Sequence, residues 1–391
     1  MSRSIVHHGD CLTVMSRWED ACVDAVVTDP PYGLTDLPVG KVSQALAAWT
    51  SGDTSYIPEG TGMMGRRWDR FVPPPAVWEQ CLRVLKPGGY LVAFAGSRTV
   101  DLMGLSVRLA GFDIRDTLAW INAHGWPKSL NLGTAARKAG SPPDEVAELS
   151  RLATGLKPAV EPIVLARKPL AESSVLSNVR VHGTGALNVD SCRIEVAGTR
   201  PLREVVDNPT TNTVYAGRIT GTLAGGSRRV DGGTTLGRYP ANVLLDEAAA
   251  QVLDDQAGIR TSGVPGVRRI TENRGATYGS ESRAAGTPMV GYGDTGGVSR
   301  FFYCAKASPT ERPSYTDANG DVIRHISVKP LALMRWLVTL VTPVGGAVLD
   351  PFAGSGTTVE AGLTTGLSVI GIESHAPYLP LIDQRIARAR R

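Results

Sequence analysis

The stretch Gly346-Ala347-Val348-Leu349-Asp350-Pro351-Phe352-Ala353-Gly354-Ser355-Gly356-Thr357-Thr358 decides the fold. A short apolar run leads into an acid, a proline and two closely spaced glycines, and two threonines then open a helix-like segment. That order reads as a buried parallel strand followed by a tight strand–helix turn. A second strand, Leu367 to Ile372, ends in Gly371-Ile372-Glu373. An acid at that place can accept both hydroxyls of a ribose, and the turn suits an adenosine-type cofactor. Gly354 and Gly356 would let the backbone pass close to a bound group that a Cβ would strike. Thr357 and Thr358 stand at the helix start as caps or hydroxyl donors. The bland alternative is a tight corner with a surface acid. No Lys-Ser or Lys-Thr follows the glycines, so a phosphate-cradling ATPase loop drops out.

Far upstream, the apolar run Val23-Asp24-Ala25-Val26-Val27-Thr28 ends in Asp29-Pro30-Pro31-Tyr32. Asp29 offers a carboxylate, and Pro30 and Pro31 fix the backbone so that the Pro30 carbonyl is held in place. Tyr32 offers a π-face. Together they form an acidic, aromatic pocket for an amino-bearing base. Read alone, the four residues are also a proline turn with a core tyrosine.

Strand-like and helix-like segments alternate to about residue 122 and resume from about 321. The first part contains a helix after Pro73-Pro74-Pro75, stopped by Lys86-Pro87-Gly88-Gly89, and a buried strand Tyr90 to Phe94. Gly33 to about Arg67 is Gly-, Ser- and Thr-rich and reads as a long mobile loop. Pro162 to Ala166 reads as a strand returning to the sheet near 160–168. Pro330 opens a helix with Leu331, Met334, Leu337, Val338 and Val341 on one face. The expected architecture is an α/β, doubly wound, mostly parallel Rossmann-like sheet. Residues 1–122 form one half and 321–391 the other, with a loop-rich insertion at 170–320.

Hydrophobic residues at 42% and charged residues at 20% of 391 fit a soluble globular chain. The net charge of +4 permits a polyanionic partner without demanding one. The five cysteines, Cys11, Cys22, Cys81, Cys192 and Cys304, are widely spaced with no C-x-x-C pair. They argue for reduced thiols in a cytoplasm, against a zinc site and against a disulfide framework. Met1 to Asp10 lacks a signal-peptide core, and no run is long and apolar enough to span a membrane.

Beyond the two motifs, His8-Gly9-Asp10-Cys11-Leu12, Gly65-Arg66-Arg67-Trp68-Asp69, Leu156-Lys157-Pro158-Ala159-Val160-Glu161-Pro162 and His325-Ile326-Ser327-Val328-Lys329-Pro330 are familiar stretches. On these, the chain resembles the β-type amino-methylating (N6-adenine or N4-cytosine) site-specific DNA methyltransferases of phage and prophage type. In that arrangement the catalytic motif precedes the cofactor motif. The resemblance implies S-adenosyl-L-methionine as cofactor, double-stranded DNA as partner, and a Rossmann-like methyltransferase sheet. Asp350, Phe352, Gly354, Gly356, Thr357 and Thr358 would belong to the cofactor turn. Asp10 would touch the adenine, Glu373 the ribose, and Ser327 and Lys329 the methionine part. Asp10 could instead cap a helix starting at Cys11, and Lys329 could face solvent. Relatives usually show His-Pro-Thr before the lysine segment, where Ile326-Ser327 stand here; serine keeps the hydroxyl.

The same resemblance makes Asp29, Pro30, Pro31 and Tyr32 catalytic. An exocyclic amine is a poor nucleophile because its lone pair is delocalised into the ring. The Asp29 carboxylate and Pro30 carbonyl, accepting its hydrogens, would draw that nitrogen toward sp³ character. Target recognition falls in the insertion, where Arg228, Arg229, Arg268, Arg269 and Arg274 are candidate DNA contacts or solvated loop charges. Trp68 is a lid over the flipped base or a core residue. Asp at position 29 leans toward adenine N6. Cytosine N4 methylation and a catalytically idle DNA-binding protein are the alternatives. No Pro-Cys dipeptide occurs, which excludes C5-cytosine chemistry, and protein glutamine methylation would carry Asn at position 29. No metal is expected, a homodimer stays open, and nothing indicates a partner nuclease.

Overall fold

The computed structural model describes residues 3–391 except 36, 63–64, 66, 124, 126–128, 197–236, 263–265, 268–287, 290–293 and 307–310. Among the described residues nine strands form one sheet: β1 Ser4–His8, β2 Val23–Thr28, β3 Leu85–Phe94, β4 Asp113–Ile121, β5 Val160–Arg167, β6 Val243–Asp246, β7 Tyr303–Ala305, β8 Ala347–Asp350 and β9 Ser368–Glu373. Their spatial order is β1-β9-β8-β2-β3-β5-β4-β6-β7. Every neighbouring pair is parallel except those of β5, which runs antiparallel to both β3 and β4. The fold is therefore α/β and Rossmann-like with a mostly parallel sheet.

All six residues of β2 are buried, which is why this central strand reads as a continuous apolar run rather than an alternating one. Ala25 and Val27 face the layer holding helices Leu331–Val341 and Thr357–Thr364. Val26 faces the layer holding helices Pro75–Val84 and Val100–Leu109. The one acid in the strand, Asp24, accepts from Lys86 Nζ at 2.7 Å and from the Ala347 N–H at 2.7 Å. Its burial is thereby balanced, and the two bonds fasten β2 to β3 and β8.

Three expectations change. The stretch Gly33 to Arg67 contains a helix, Val39–Thr50. Its Ala45 and Trp49 are buried, and Trp49 Nε1 donates to the Tyr56 carbonyl at 2.9 Å. Two anchored positions hold a helix that its Gly, Ser and Thr content disguises. Second, β3 begins at Leu85, and Lys86-Pro87-Gly88-Gly89 is an excursion inside it, between the Leu85 and Tyr90 pairings with β2. Buried Asn178 holds that excursion, donating to the carbonyls of Pro87 at 2.9 Å and Thr184 at 2.8 Å.

Third, the chain divides into two compact units. One comprises 1–192, 240–251 and 302–391, and the other 193–239 and 252–301. Much of 170–320, including β6 and β7, thus belongs to the sheet unit. In the second unit Asp294 takes the guanidinium groups of Arg238 at 2.6 Å and Arg300 at 3.0 Å, and both lie over the Phe301 ring. No helix among the described residues is long and apolar enough to cross a membrane.

Candidate active site

β2 and β8 are parallel neighbours, with Val348 opposite Ala25 and Leu349 opposite Val26. Both motifs therefore leave the sheet at the same edge, where ligands bind in open α/β folds. Thr28 Oγ1 donates to Asp350 Oδ1 at 2.6 Å and ties the two strand ends together. A cavity of about 380 Å³ lies above them, within the range of small-molecule sites. Asp10, Glu373, Gly354 and Thr357 line it, and so do Asp29, Pro30, Pro31 and Tyr32.

The glycine turn owes its residue choice to backbone and packing. Gly354 has φ +53°, and a Cβ there would stand 3.0 Å from His325 Nε2. Gly356 has φ +82°, and its Cβ would meet Ile382 at 3.0 Å. Both lie in the left-handed region, where only glycine is unstrained. Gly356 is itself the N-cap of helix Thr357–Thr364, with no side-chain cap bond, so Thr357 and Thr358 are not caps. Thr358 instead hydrogen-bonds to Asp350. Glu373 Oε2 accepts the Gly354 N–H and Oε1 the His375 N–H, each at 2.7 Å. Burial pushes its carboxyl above the usual value, while these backbone bonds work the other way. Asp10 caps helix Cys11–Met15, accepting from the Thr13 N–H at 3.0 Å, and also lines the cavity.

At the Asp29–Tyr32 end, Asp69 accepts three successive backbone N–H groups, from Tyr32 at 2.9 Å, Gly33 at 3.0 Å and Leu34 at 3.3 Å. That clamp sets the direction in which the chain leaves the Pro-Pro turn. The Tyr32 hydroxyl reaches Asp29 Oδ1 at 2.8 Å and Glu161 Oε2 at 3.1 Å. Burial and the two carboxylates push this phenol well above its usual value, so it stays a neutral donor. Lys329 neither faces solvent nor stands apart from the acids. Its ammonium is buried, 2.7 Å from Asp29 Oδ2 and 3.2 Å from Glu161 Oε2. The rings of Tyr32 and Phe94 lie 5.3 and 5.0 Å from it. Burial alone would lower the Lys329 ammonium, but the two carboxylates outweigh it and the net direction is upward.

A model of N6/N4 methyltransferases, described as DNA methylase, matches residues 23–384. The chain belongs to this DNA methylase family. The chain is 23% identical over 206 residues to the type II methyltransferase M.HindIII of Haemophilus influenzae, covering 48% of this chain and 65% of that protein. It is 40% identical over 62 residues to the type II methyltransferase M.BglI of Bacillus subtilis, 16% of this chain and 18% of that protein. The chain thus spans less than two thirds of the length of these curated relatives, 65% and 18%. Among solved structures, PvuII DNA methyltransferase, described as cytosine-N4-specific, aligns over 98% of this chain and 86% of that one, at 12% identity and a TM-score of 0.44.

Of the residues singled out in the sequence, Asp29, Pro30, Pro31, Tyr32, Asp350, Phe352, Gly354, Thr357, Thr358, Asp10, Ser327, Lys329, Glu373 and Trp68 line this cavity, and Gly356 does not. Trp68 is 48% exposed, in the turn Arg67–Asp69, and is no core residue. Arg228, Arg229, Arg268, Arg269 and Arg274 lie outside the described residues. Asp69 and Glu161 escaped the site reading, because neither has a motif spacing to Asp29. Among the described residues no cluster of His, Cys, Asp or Glu is arranged to hold a metal.

Asp350 gives a pH test of this site. Burial pushes its carboxyl from 3.8 up to about 6, against the lowering hydrogen bonds of Thr28, Thr358 and the Phe352 N–H. A folded-state value above the unfolded one favours the protonated form on folding. The stability it contributes is complete below about pH 4 and lost as the pH rises through about 6. Urea denaturation should show that Asp350→Asn lacks this part of the wild-type decline. The difference should reach roughly 3 kcal/mol, since each tenfold change in proton affinity is worth about 1.4 kcal/mol. Parallel stability–pH curves for the two proteins would remove the residue from this role.

Proposed function

We propose that this DNA methylase transfers a methyl group from S-adenosyl-L-methionine to the exocyclic amine of a base flipped out of duplex DNA, with adenine N6 as the target. The observation that carries this reading is the placement of Asp29 and the Gly354–Gly356 turn at adjacent strand ends over a shared cavity. The residues present suit the cofactor. The Glu373 carboxylate accepts backbone N–H groups from Gly354, His375 and Ser374, and of its four lone pairs one remains for a ribose hydroxyl. Asp10, Ser327 and the glycine turn would complete its site. Bound there, the cofactor supplies an electrophilic methyl group on a sulfonium.

The chain's own residues do the rest. Asp29 and the Pro30 carbonyl accept the amine hydrogens, which returns the ring-delocalised lone pair to nitrogen and aims it. As the N–C bond forms and the methyl–sulfur bond breaks, the Asp29 charge would stabilise the positive nitrogen, and the carboxylate would then accept the proton that the methylated amine loses. Tyr32 stacks on the base. Trp68, beside Arg67 and Arg70 on the cavity lining, closes over the extruded nucleotide. Target recognition is assigned to the chain between the two motifs, where Arg228, Arg229, Arg268, Arg269 and Arg274 are to be substituted first.

Incubation of the purified protein with genomic DNA and methyl-labelled cofactor tests the reading. Digestion to nucleosides should yield labelled N6-methyldeoxyadenosine. Label in N4-methylcytosine overturns the adenine assignment, and no label in any DNA overturns the activity. Sequencing of DNA from an expressing host that reads methylated positions directly would give the recognition site. Trp68→Ala should raise KM for DNA about tenfold, since stacking on one base is worth about 1–3 kcal/mol, and leave cofactor binding unchanged. A KM within twofold of wild type would take Trp68 off the base.

A further inference from the structure

We infer that Glu161, which belongs to neither motif, is a positioning residue for the methyl transfer: it shares the Lys329 ammonium and the Tyr32 hydroxyl with Asp29 and so keeps Asp29 available to the amine. The inference rests on the methyl-transfer reading above. Glu161 arrives on the antiparallel strand β5, opposite Trp120 of β4. Its Oε2 lies 3.1 Å from the Tyr32 hydroxyl and 3.2 Å from Lys329 Nζ, and Asn122 Nδ2 donates to its Oε1 at 3.4 Å.

Tyr32 has one hydroxyl hydrogen and two carboxylate oxygens within reach, 2.8 Å away on Asp29 and 3.1 Å on Glu161. Given to Glu161, that hydrogen leaves both lone pairs of Asp29 Oδ1 to the amine; given to Asp29, it takes one of them and competes with the amine for the oxygen. Glu161 is what allows the hydroxyl to turn away. Charge points the same way. Asp29 and Lys329 alone would be a neutral pair, whereas Glu161 makes the group net negative. Nitrogen becomes positive during attack on a sulfonium, so the extra negative charge favours the transition state over the ground state. Asp29, Tyr32 and Lys329 are the titratable groups that the described structure places against Glu161, with Asn122 its uncharged partner.

The test is Glu161→Gln, which keeps the shape and removes the charge, measured in single-turnover methyl transfer with labelled cofactor and duplex DNA. The rate should fall roughly 10-fold to 100-fold, with the dissociation constant for S-adenosyl-L-methionine within about twofold of wild type and thermal melting nearly unchanged. Glu161→Ala, which removes the charge and the acceptor for the Tyr32 hydroxyl together, should lose at least as much rate. A rate within twofold of wild type overturns the inference. So does a loss matched by equal losses of cofactor affinity and melting temperature, which would mark a structural role. An inactive wild type would instead sink the methyl-transfer reading itself, and the two failures are distinguished by that arm.

Discussion

Asp29→Ala is expected to lower single-turnover methyl transfer by on the order of 10³-fold or more, the largest functional effect of any single change in this chain. On the proposed mechanism, alanine removes the acceptor of the amine hydrogens and the charge opposite the developing positive nitrogen in one step. The fold should survive, because the buried Lys329 keeps Glu161 at 3.2 Å and the Tyr32 hydroxyl keeps the same oxygen at 3.1 Å. Cofactor affinity should change little, since Asp10, Glu373 and the glycine turn are untouched. Asp29→Asn should recover little of the rate, as it retains a single acceptor and turns an NH₂ toward the amine. Equilibrium binding of labelled cofactor alongside the rate separates these effects. A variant that binds cofactor normally and transfers methyl within tenfold of wild type would remove Asp29 from the chemistry.

What the sequence made legible is what two-sided burial and turn chemistry write into it. β2 and β8 sit in the middle of the sheet, so their residues are apolar on both faces and stand out as runs. The prolines after Asp29 and the glycines at 354 and 356 are dictated by local backbone, and a local cause leaves a local signature. The glycine reason was nonetheless different from the one expected. Their positive φ and their contacts with His325 and Ile382 already require glycine, whatever is bound beside them.

The rest depended on partners distant in sequence. Glu161 meets Tyr32 only because β5 runs antiparallel between β3 and β4, and no spacing rule connects the two residues. Lys329 was expected near the methionine part of the cofactor, and that its ammonium lies between Asp29 and Glu161 was not readable from its own segment, because sheet order brings those acids to it. Helix Val39–Thr50 was hidden for a different reason: its helical signal lies in Ala45 and Trp49, amid residues that score as turn formers. Tertiary packing overrode propensity there.

The largest stability effect should come from Glu360, one turn into the helix that follows the glycine turn. Its carboxylate takes Arg385 Nη1 at 2.5 Å and Arg388 Nε at 2.6 Å, both from helix Leu379–Ala389. Arg385 is 0% exposed and Glu360 2%. Arg385 Nη2 also donates to the Glu311 carbonyl at 2.7 Å, and Glu311 in turn accepts the Leu331 N–H at 2.8 Å. One carboxylate thus balances the charge that clamps the last helix onto the cofactor turn, where Ile382 already packs against Gly356. Glu360→Ala leaves a guanidinium buried without a carboxylate, and such a loss costs about 3–5 kcal/mol. Removing both charges should cost far less than removing one, because apolar residues of similar volume escape the desolvation penalty. Denaturant melts of Glu360→Ala and of the double variant Glu360→Leu with Arg385→Leu should therefore rank the double variant as the more stable. The reverse order, or a loss below about 1 kcal/mol in the single variant, would mean that water reaches Arg385 and that the clamp is only a surface pair.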